Sequence, residues 1–198
     1  MKYFFTADWH LGDDEIIDIE FRPFKKKEEM EELLIKDINS KCKEEDMLYV
    51  IGDILSYRPM IDVVIDIKDI ERVIRRIKTK VVLIVGNNER RLIEDRYDNS
   101  IEKFRAECKK RGIETVREED YISFGDKIFY INHFPSKAKD NYINLFGHVH
   151  KITGWNKRKG LNMSVDLNHF RVYSEEDILK LLDQKKRFWD DDKDVLAE

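Results

Sequence analysis

Residues 47–53, Met47-Leu48-Tyr49-Val50-Ile51-Gly52-Asp53, decide the fold. Five apolar, β-prone residues without alternation read as a strand buried on both faces, and a glycine and a carboxylate stand at its exit. Upstream, Lys2 to Thr6 is a second such run, and Asp8 stands just past its end. Between the two, apolar residues Met30, Leu33, Leu34 and Ile38 recur at helical spacing from Lys25 to about Cys42. Downstream, the stretch from Ile61 to Ile77 predicts one helix or two short ones. Val81-Val82-Leu83-Ile84-Val85 then delivers the chain to Gly86-Asn87. Strand, helix, strand, helix, strand is the rhythm of a mainly parallel sheet in an α/β protein. Functional groups in such sheets gather past the carboxyl ends of the strands, where Asp8, Asp53 and Asn87 fall.

The second half changes character. A helix is expected from Asn99 to Arg111, closed by Gly112. Short β-type runs follow at Tyr121–Phe124, Lys127–Ile131, Tyr142–Phe146 and Leu161–Val165, with Gly125-Asp126 as a tight hairpin turn. Ser174-Glu175-Glu176-Asp177 opens a last helix through about Leu182 in the manner of a capping box. The sequence thus predicts one domain over 1–183 and a frayed acidic tail over 184–198, with no repeat and no linker.

Its 198 residues suffice to close a core without staples. Charged residues reach 39%, but Lys+Arg 37 against Asp+Glu 41 leaves a net of −4, so a global basic field for long nucleic acid is absent. Cys42 and Cys108 are isolated thiols with no zinc or disulfide spacing. No run approaches a membrane span and the N-terminus reads as a strand rather than a signal peptide, so a cytoplasmic location is expected.

Four of the five histidines belong to short blocks that follow apolar runs: Asp8-Trp9-His10, Asn132-His133 and Gly147-His148-Val149-His150. With Gly52-Asp53 and Gly86-Asn87-Asn88 they supply imidazoles, carboxylates and an amide oxygen, the donors of a divalent-metal site. An extended segment would turn Asp8 and His10 to one side and Trp9 to the other. Each block has a plain structural reading when taken alone, as a turn former or a core histidine. All five being incidental in this order is a far smaller prospect. His169 follows no such block and is expected at the surface or behind the ligands.

The ordered blocks resemble the calcineurin-like metallophosphoesterases, over roughly residues 2 to 183. The resemblance implies a sandwich of two mixed sheets with helices outside. It also implies hydrolysis of a phosphate ester by a bridging hydroxide at a dinuclear centre. Carried over, one metal would be held by Asp8, His10, Asp53 and His150, and the other by Asp53, Asn87, His133 and His148, with Asp53 shared. Manganese is placed ahead of iron or zinc. Arg22-Pro23-Phe24 and Asn162-Met163-Ser164-Val165-Asp166 are similar to a small bacterial and phage branch.

Two departures bear on the chemistry. Asn88 stands where the family has a histidine near the leaving group, and Asn can donate a hydrogen bond but no proton at neutral pH. Gly12-Asp13 stands where that branch tends to have Gly-His. Asn88 and Asp53 are therefore the catalytic candidates, and Arg22, Arg90 and Arg91 the candidate phosphate contacts. The expected partner is a small phosphoester or a nucleotide, with nucleic acid an open alternative and the oligomeric state unassigned. The rival readings are a phosphodiesterase or nuclease, for which Arg72, Arg75, Arg76, Lys78, Lys80 and the 157–159 cluster offer basic surface, and a metal-stabilised interaction module without catalysis.

Overall fold

A computed structural model describes residues 1–152, 155–156 and 160–189. In chain order the elements are β1 (Tyr3–Thr6), α1 (Glu15–Ile19), α2 (Lys27–Lys41), β2 (Met47–Ile51), β3 (Tyr57–Arg58), β4 (Val63–Val64), α3 (Glu71–Ile74), β5 (Lys80–Ile84), α4 (Asn87–Arg96) and α5 (Ile101–Lys110). There follow β6 (Thr115–Arg117), β7 (Asp120–Phe124), β8 (Lys127–Ile131), β9 (Ile143–Phe146), β10 (Trp155–Asn156), β11 (Gly160–Asn162), β12 (Tyr173–Ser174) and α6 (Glu175–Trp189).

The first sheet runs β12-β1-β2-β5-β6, parallel except for β12, and the second runs β10-β11-β9-β8-β7, parallel only across β11-β9-β8. Alternation along the strands makes two cores. Phe5, Tyr49, Ile51, Val82 and Ile84 meet Phe129, Ile131, Leu145 and Leu161 between the sheets, where Ile178 of α6 joins them. Phe4, Leu48, Val50, Val81 and Leu83 point the other way, onto Met30, Leu34, Ile35 and Ile38 of α2, Leu92 of α4 and Phe104 of α5. Burying each such side chain stabilises the fold by about 1.5–3 kcal/mol. The architecture is the expected sandwich of mixed sheets.

Local chemistry explains the turns. Gly125 and Asp126 have φ of +54° and +59°, the primed turn whose twist suits a two-residue hairpin between β7 and β8. Ser174 Oγ accepts from the Asp177 N–H at 3.1 Å while Asp177 Oδ2 accepts from the Ser174 N–H at 2.9 Å, so α6 opens on a reciprocal cap.

Three expectations are corrected, and helix α4 goes unannounced in the sequence. The 61–77 stretch holds only the one-turn α3, although Ile67, Ile70, Val73, Ile74 and Ile77 are buried. Asp62 sits at φ +58°, Asp69 Oδ2 takes the Asp66 N–H, and the Ile65 N–H goes to Ser56 O, so local bonds and the β3–β4 hairpin displace the helix. The run 161–165 leaves the sheet after Asn162, because Asn162 Oδ1 takes the Ser164 N–H and residues 165–167 form a 3-10 turn. Helix α4 has few apolar residues beyond Leu92 and Ile93 and carries no periodic signal. Helix α6 continues to Trp189, past the expected start of the tail; residues 190–198 and the basic 157–159 cluster lie outside the described residues. No helix among the described residues is long and apolar enough to cross a membrane.

Candidate metal centre

Five strands end on one edge of the sandwich, and each carries a ligand block in the turn that follows. Ala7-Asp8 leaves β1, Gly52-Asp53 leaves β2, Val85-Gly86-Asn87 leaves β5, Asn132-His133 leaves β8, and Gly147-His148 leaves β9. The strand ends are stitched together across the two sheets. Asp8 N–H donates to Gly52 O at 3.1 Å, His133 Nδ1 lies 2.8 Å from Ile51 O, and Gly147 N–H donates to His133 O at 3.1 Å.

The backbone at the site is not extended. Asp8, His10, Asp53, His148 and His150 all have φ between +45° and +74°. Asp and His tolerate this left-handed region better than most residues, yet each such position costs about 1–3 kcal/mol and clusters where function requires it. The expected extended Asp8-to-His10 segment is thus corrected, though its consequence holds. Asp8 and His10 turn to the site while Trp9 is fully buried in the helix-side core with its indole N–H on Thr6 Oγ1.

Asp53 stands between two groups of donors. Its Oδ2 is 3.8 Å from His10 Nε2, and its Oδ1 is 3.6 Å from His133 Nε2. Ligand atoms of Asp8, His10 and His150 lie within 4.8 Å of one another, and so do those of Asp8, Asp53 and His133. Asn87 Oδ1 lies 3.0 Å from His133 Nε2 and 2.7 Å from His148 Nδ1. All seven expected ligands therefore converge.

The hydrogen bonds behind the ligands set which atoms face inward. His133 Nδ1 is tied to the Ile51 carbonyl, which leaves Nε2 with its lone pair toward Asp53 and Asn87. His10 Nδ1 meets Ser56 Oγ at 2.9 Å, and His150 Nδ1 meets Asp166 Oδ2 at 2.9 Å. Asp8 Oδ2 and His10 Nε2 are buried and have no hydrogen-bond partner among the described residues. Two buried, unpartnered acceptors aimed at one space are costly without a cation. Burial lifts the Asp8 carboxyl above its ordinary pKa and, with Arg22 and the neighbouring imidazoles, drives His10 well below its own. Burial likewise lowers His148. His150 is raised despite burial, because Asp166 accepts from it and Asp8 and Glu20 are close. Neutral imidazoles beside carboxylates fit divalent cations well.

Two predicted roles change. Arg22 has no exposed side chain, and its five N–H groups go to both Asp166 oxygens, the Asp8 and Trp9 carbonyls and Met30 sulfur. It cannot reach a phosphate; it clamps the first ligand loop to Asp166. Asn88 is buried, with Oδ1 accepting from Tyr57 N–H at 2.8 Å and Nδ2 donating to Asp53 Oδ2 at 2.6 Å. Its amide is committed to orienting Asp53 and not to a leaving group. Arg91 is exposed and lines a groove of roughly 690 Å³ with Tyr57, Arg58 and Met60. Arg90 donates to Glu118 at 3.1 Å over the Phe134 ring, with its Nε unpartnered. His169 is exposed, as expected.

Sequence reasoning assigns no role to Glu89 or Asp166. Glu89 is fully buried and accepts from three backbone N–H groups, Gly86 at 2.7 Å and Asp53 and Ile54 at 2.9 Å. Burial and the Asp53 charge push its carboxyl up to about 7. Its place three residues after the residue preceding α4 is a capping-box position, a signal that could have found it. Asp166 carries no local signal, since its partners Arg22 and His150 are distant in sequence. Space is equally constrained: a Cβ on Gly86 would lie 2.3 Å from Asp53 Oδ1, and one on Gly52 (φ +78°) 2.2 Å from His133 Nδ1.

A partner that fixes a ligating histidine typically contributes 10–100-fold in metal affinity. Asp166→Asn is therefore expected to weaken metal binding by about that factor, read by competition with a chromogenic chelator. Unchanged affinity would show that His150 needs no such support.

Carboxylates and imidazoles converging at the strand ends of a mixed-sheet sandwich define a metallohydrolase. A family model for calcineurin-like phosphoesterases matches residues 1–197, and the chain belongs to that family, as a metal-dependent phosphoesterase. It is 26% identical over 195 residues to the uncharacterized protein MJ1445 of Methanocaldococcus jannaschii, covering 93% of each chain. Among solved structures it is similar to the protein of unknown function AQ665 from Aquifex aeolicus, with TM-score 0.63, 20% identity, and 91% of this chain and 98% of that one covered. A further similarity is to Pseudomonas putida nuclease MPE, at TM-score 0.47, 23% identity, and 75% and 60% coverage.

Proposed function

We propose that the chain hydrolyses phosphoesters with two divalent ions sharing Asp53, manganese ahead of iron or zinc. The observation that carries this reading is Asp53 itself, whose two oxygens face imidazoles of two separate donor groups. Asp8, His10 and His150 would complete one ion's set, and Asn87, His133 and His148 the other's. When bound, such ions polarise phosphoryl oxygens and supply a nucleophilic hydroxide near neutral pH.

The chain's own residues do the rest. Glu89 and Asn88 hold Asp53 from behind, Asp166 and Ile51 O fix the tautomers of His150 and His133, and Arg22 locks the Asp8 loop. Arg91, and Arg90 from within its pair with Glu118, are the arginines placed to offset charge on the phosphate. With Asn88 committed to Asp53, that position supplies no proton to a leaving group. Esters with good leaving groups should therefore be favoured.

The test is turnover of bis(4-nitrophenyl) phosphate and 4-nitrophenyl phosphate by chelator-treated protein, before and after manganese is restored. Activity that vanishes on chelation and returns with the metal is expected, and the ratio of the two rates assigns diester or monoester preference. Equal activity with and without metal, or none in either state, would remove the hydrolytic reading.

A further inference from the structure

Phe134 follows the ligand His133 directly and forms one wall of the site. Its ring centroid is 5.0 Å from that of His133 and 5.1 Å from that of His148. Two cations lie over it, the Arg90 guanidinium at 5.8 Å and Lys137 Nζ at 5.6 Å. Among the described residues Lys137 has no ion pair and Arg90 Nε no partner, while Arg90 Nη2 donates to Glu118. Phe134 and Tyr130 line one closed crevice, and Tyr130, itself buried, backs the aromatic cluster on the outer face of the second sheet. There Tyr121 pairs across the strands with Tyr130, at 5.1 Å between rings, and Tyr142 meets Tyr121 at 5.2 Å. Lys139 Nζ sits 4.1 Å from the Tyr130 ring and 4.8 Å from Tyr121. Tyr121 is 44% exposed and Tyr142 36%.

Aromatic rings alternating with cations, starting beside a phosphoesterase centre, form the surface that single-stranded nucleic acid uses. Bases stack on the rings whatever their identity, and the cations follow the backbone. Tyr130 and Phe134 are four positions apart, at most about 13 Å, the reach of a few nucleotides. Glu118 and Glu119 partly offset Arg90 and Lys139, which keeps the strip's field modest. A protein partner is less well matched, because the cations lie on ring faces and the apolar surface is broken by them. We propose that this strip binds single-stranded nucleic acid and leads its phosphodiester to the metal centre. The leading of substrate rests on the hydrolytic reading above, whereas the binding does not.

The test uses a fluorescein-labelled single-stranded 10-mer and a duplex of the same length, with anisotropy read on chelator-treated protein. The single strand is expected to bind at least about tenfold tighter than the duplex. Three cation contacts predict a slope of about −2 in log affinity against log salt. Tyr121→Ala with Tyr142→Ala, and separately Lys137→Glu, should each weaken binding about tenfold. With manganese restored, the double tyrosine variant should lose about tenfold more rate on the oligonucleotide than on bis(4-nitrophenyl) phosphate, which is too short to reach Tyr142. Absent binding, equal binding of duplex, or variants that bind like the parent would overturn the strip. Nitrophenyl turnover alongside absent oligonucleotide binding ends the strip and leaves hydrolysis standing. Oligonucleotide binding with neither substrate turned over does the reverse.

Discussion

Asp53→Asn is expected to lower phosphoester turnover by about 10³-fold or more, with the fold retained. The change is nearly isosteric, so the loss is electronic. A carboxylate can present one oxygen to each of two ions, whereas an amide offers one acceptor and one N–H group. Metal-assisted charge stabilisation is worth several kcal/mol, and about 4 kcal/mol corresponds to three decades in rate. The amide would meet a second obstacle. Both Asp53 oxygens now accept from Asn88, Oδ1 from its backbone N–H at 3.0 Å and Oδ2 from its Nδ2 at 2.6 Å. Either orientation of the substituted amide sets one donor against another. The same variant should hold fewer metal ions per chain by elemental analysis. Turnover equal to the parent's would show that the hydrolysis comes from another centre.

The largest effect on stability is expected at a residue that touches no metal. Glu89→Ala would leave the Gly86, Asp53 and Ile54 N–H groups without an acceptor in a fully buried place. Each buried unsatisfied donor costs roughly 1–3 kcal/mol, so the sum is about 5 kcal/mol. For a chain of this length that is a fall of about 10–20 °C in melting temperature, measured by calorimetry. Glu89→Gln keeps one acceptor oxygen and should lose about half as much. A fall under about 3 °C for the alanine variant would mean that water or a shifted side chain satisfies those amides.

The legible parts of this molecule are those written in short range. The runs at residues 3–6, 47–51 and 80–84 are buried on both faces, which is why they read as parallel strands without alternation. The seven candidate ligands are legible because each follows a strand, and strands of one direction end on one edge. Helix α4 is not, since its stability comes from Glu89 capping and two buried apolar residues rather than from an apolar stripe. The 61–77 run misleads because buried isoleucines can serve an irregular chain as well as a helix when aspartates take over the backbone N–H groups. Residue type puts Arg22 at the phosphate, and the family pattern puts Asn88 near the leaving group. Which way a side chain turns depends on partners distant in sequence, Asp166 for one and Tyr57 for the other. Composition and spacing carry no record of that.

Sharing of Asp53 by two cations is what the proposed chemistry rests on, and manganese anomalous scattering reads it directly. Difference maps from manganese-soaked crystals should hold two peaks, one beside each Asp53 oxygen, the first near His10 and His150 and the second near Asn87, His133 and His148. A single peak, or peaks remote from Asp53, would leave the dinuclear mechanism without its foundation.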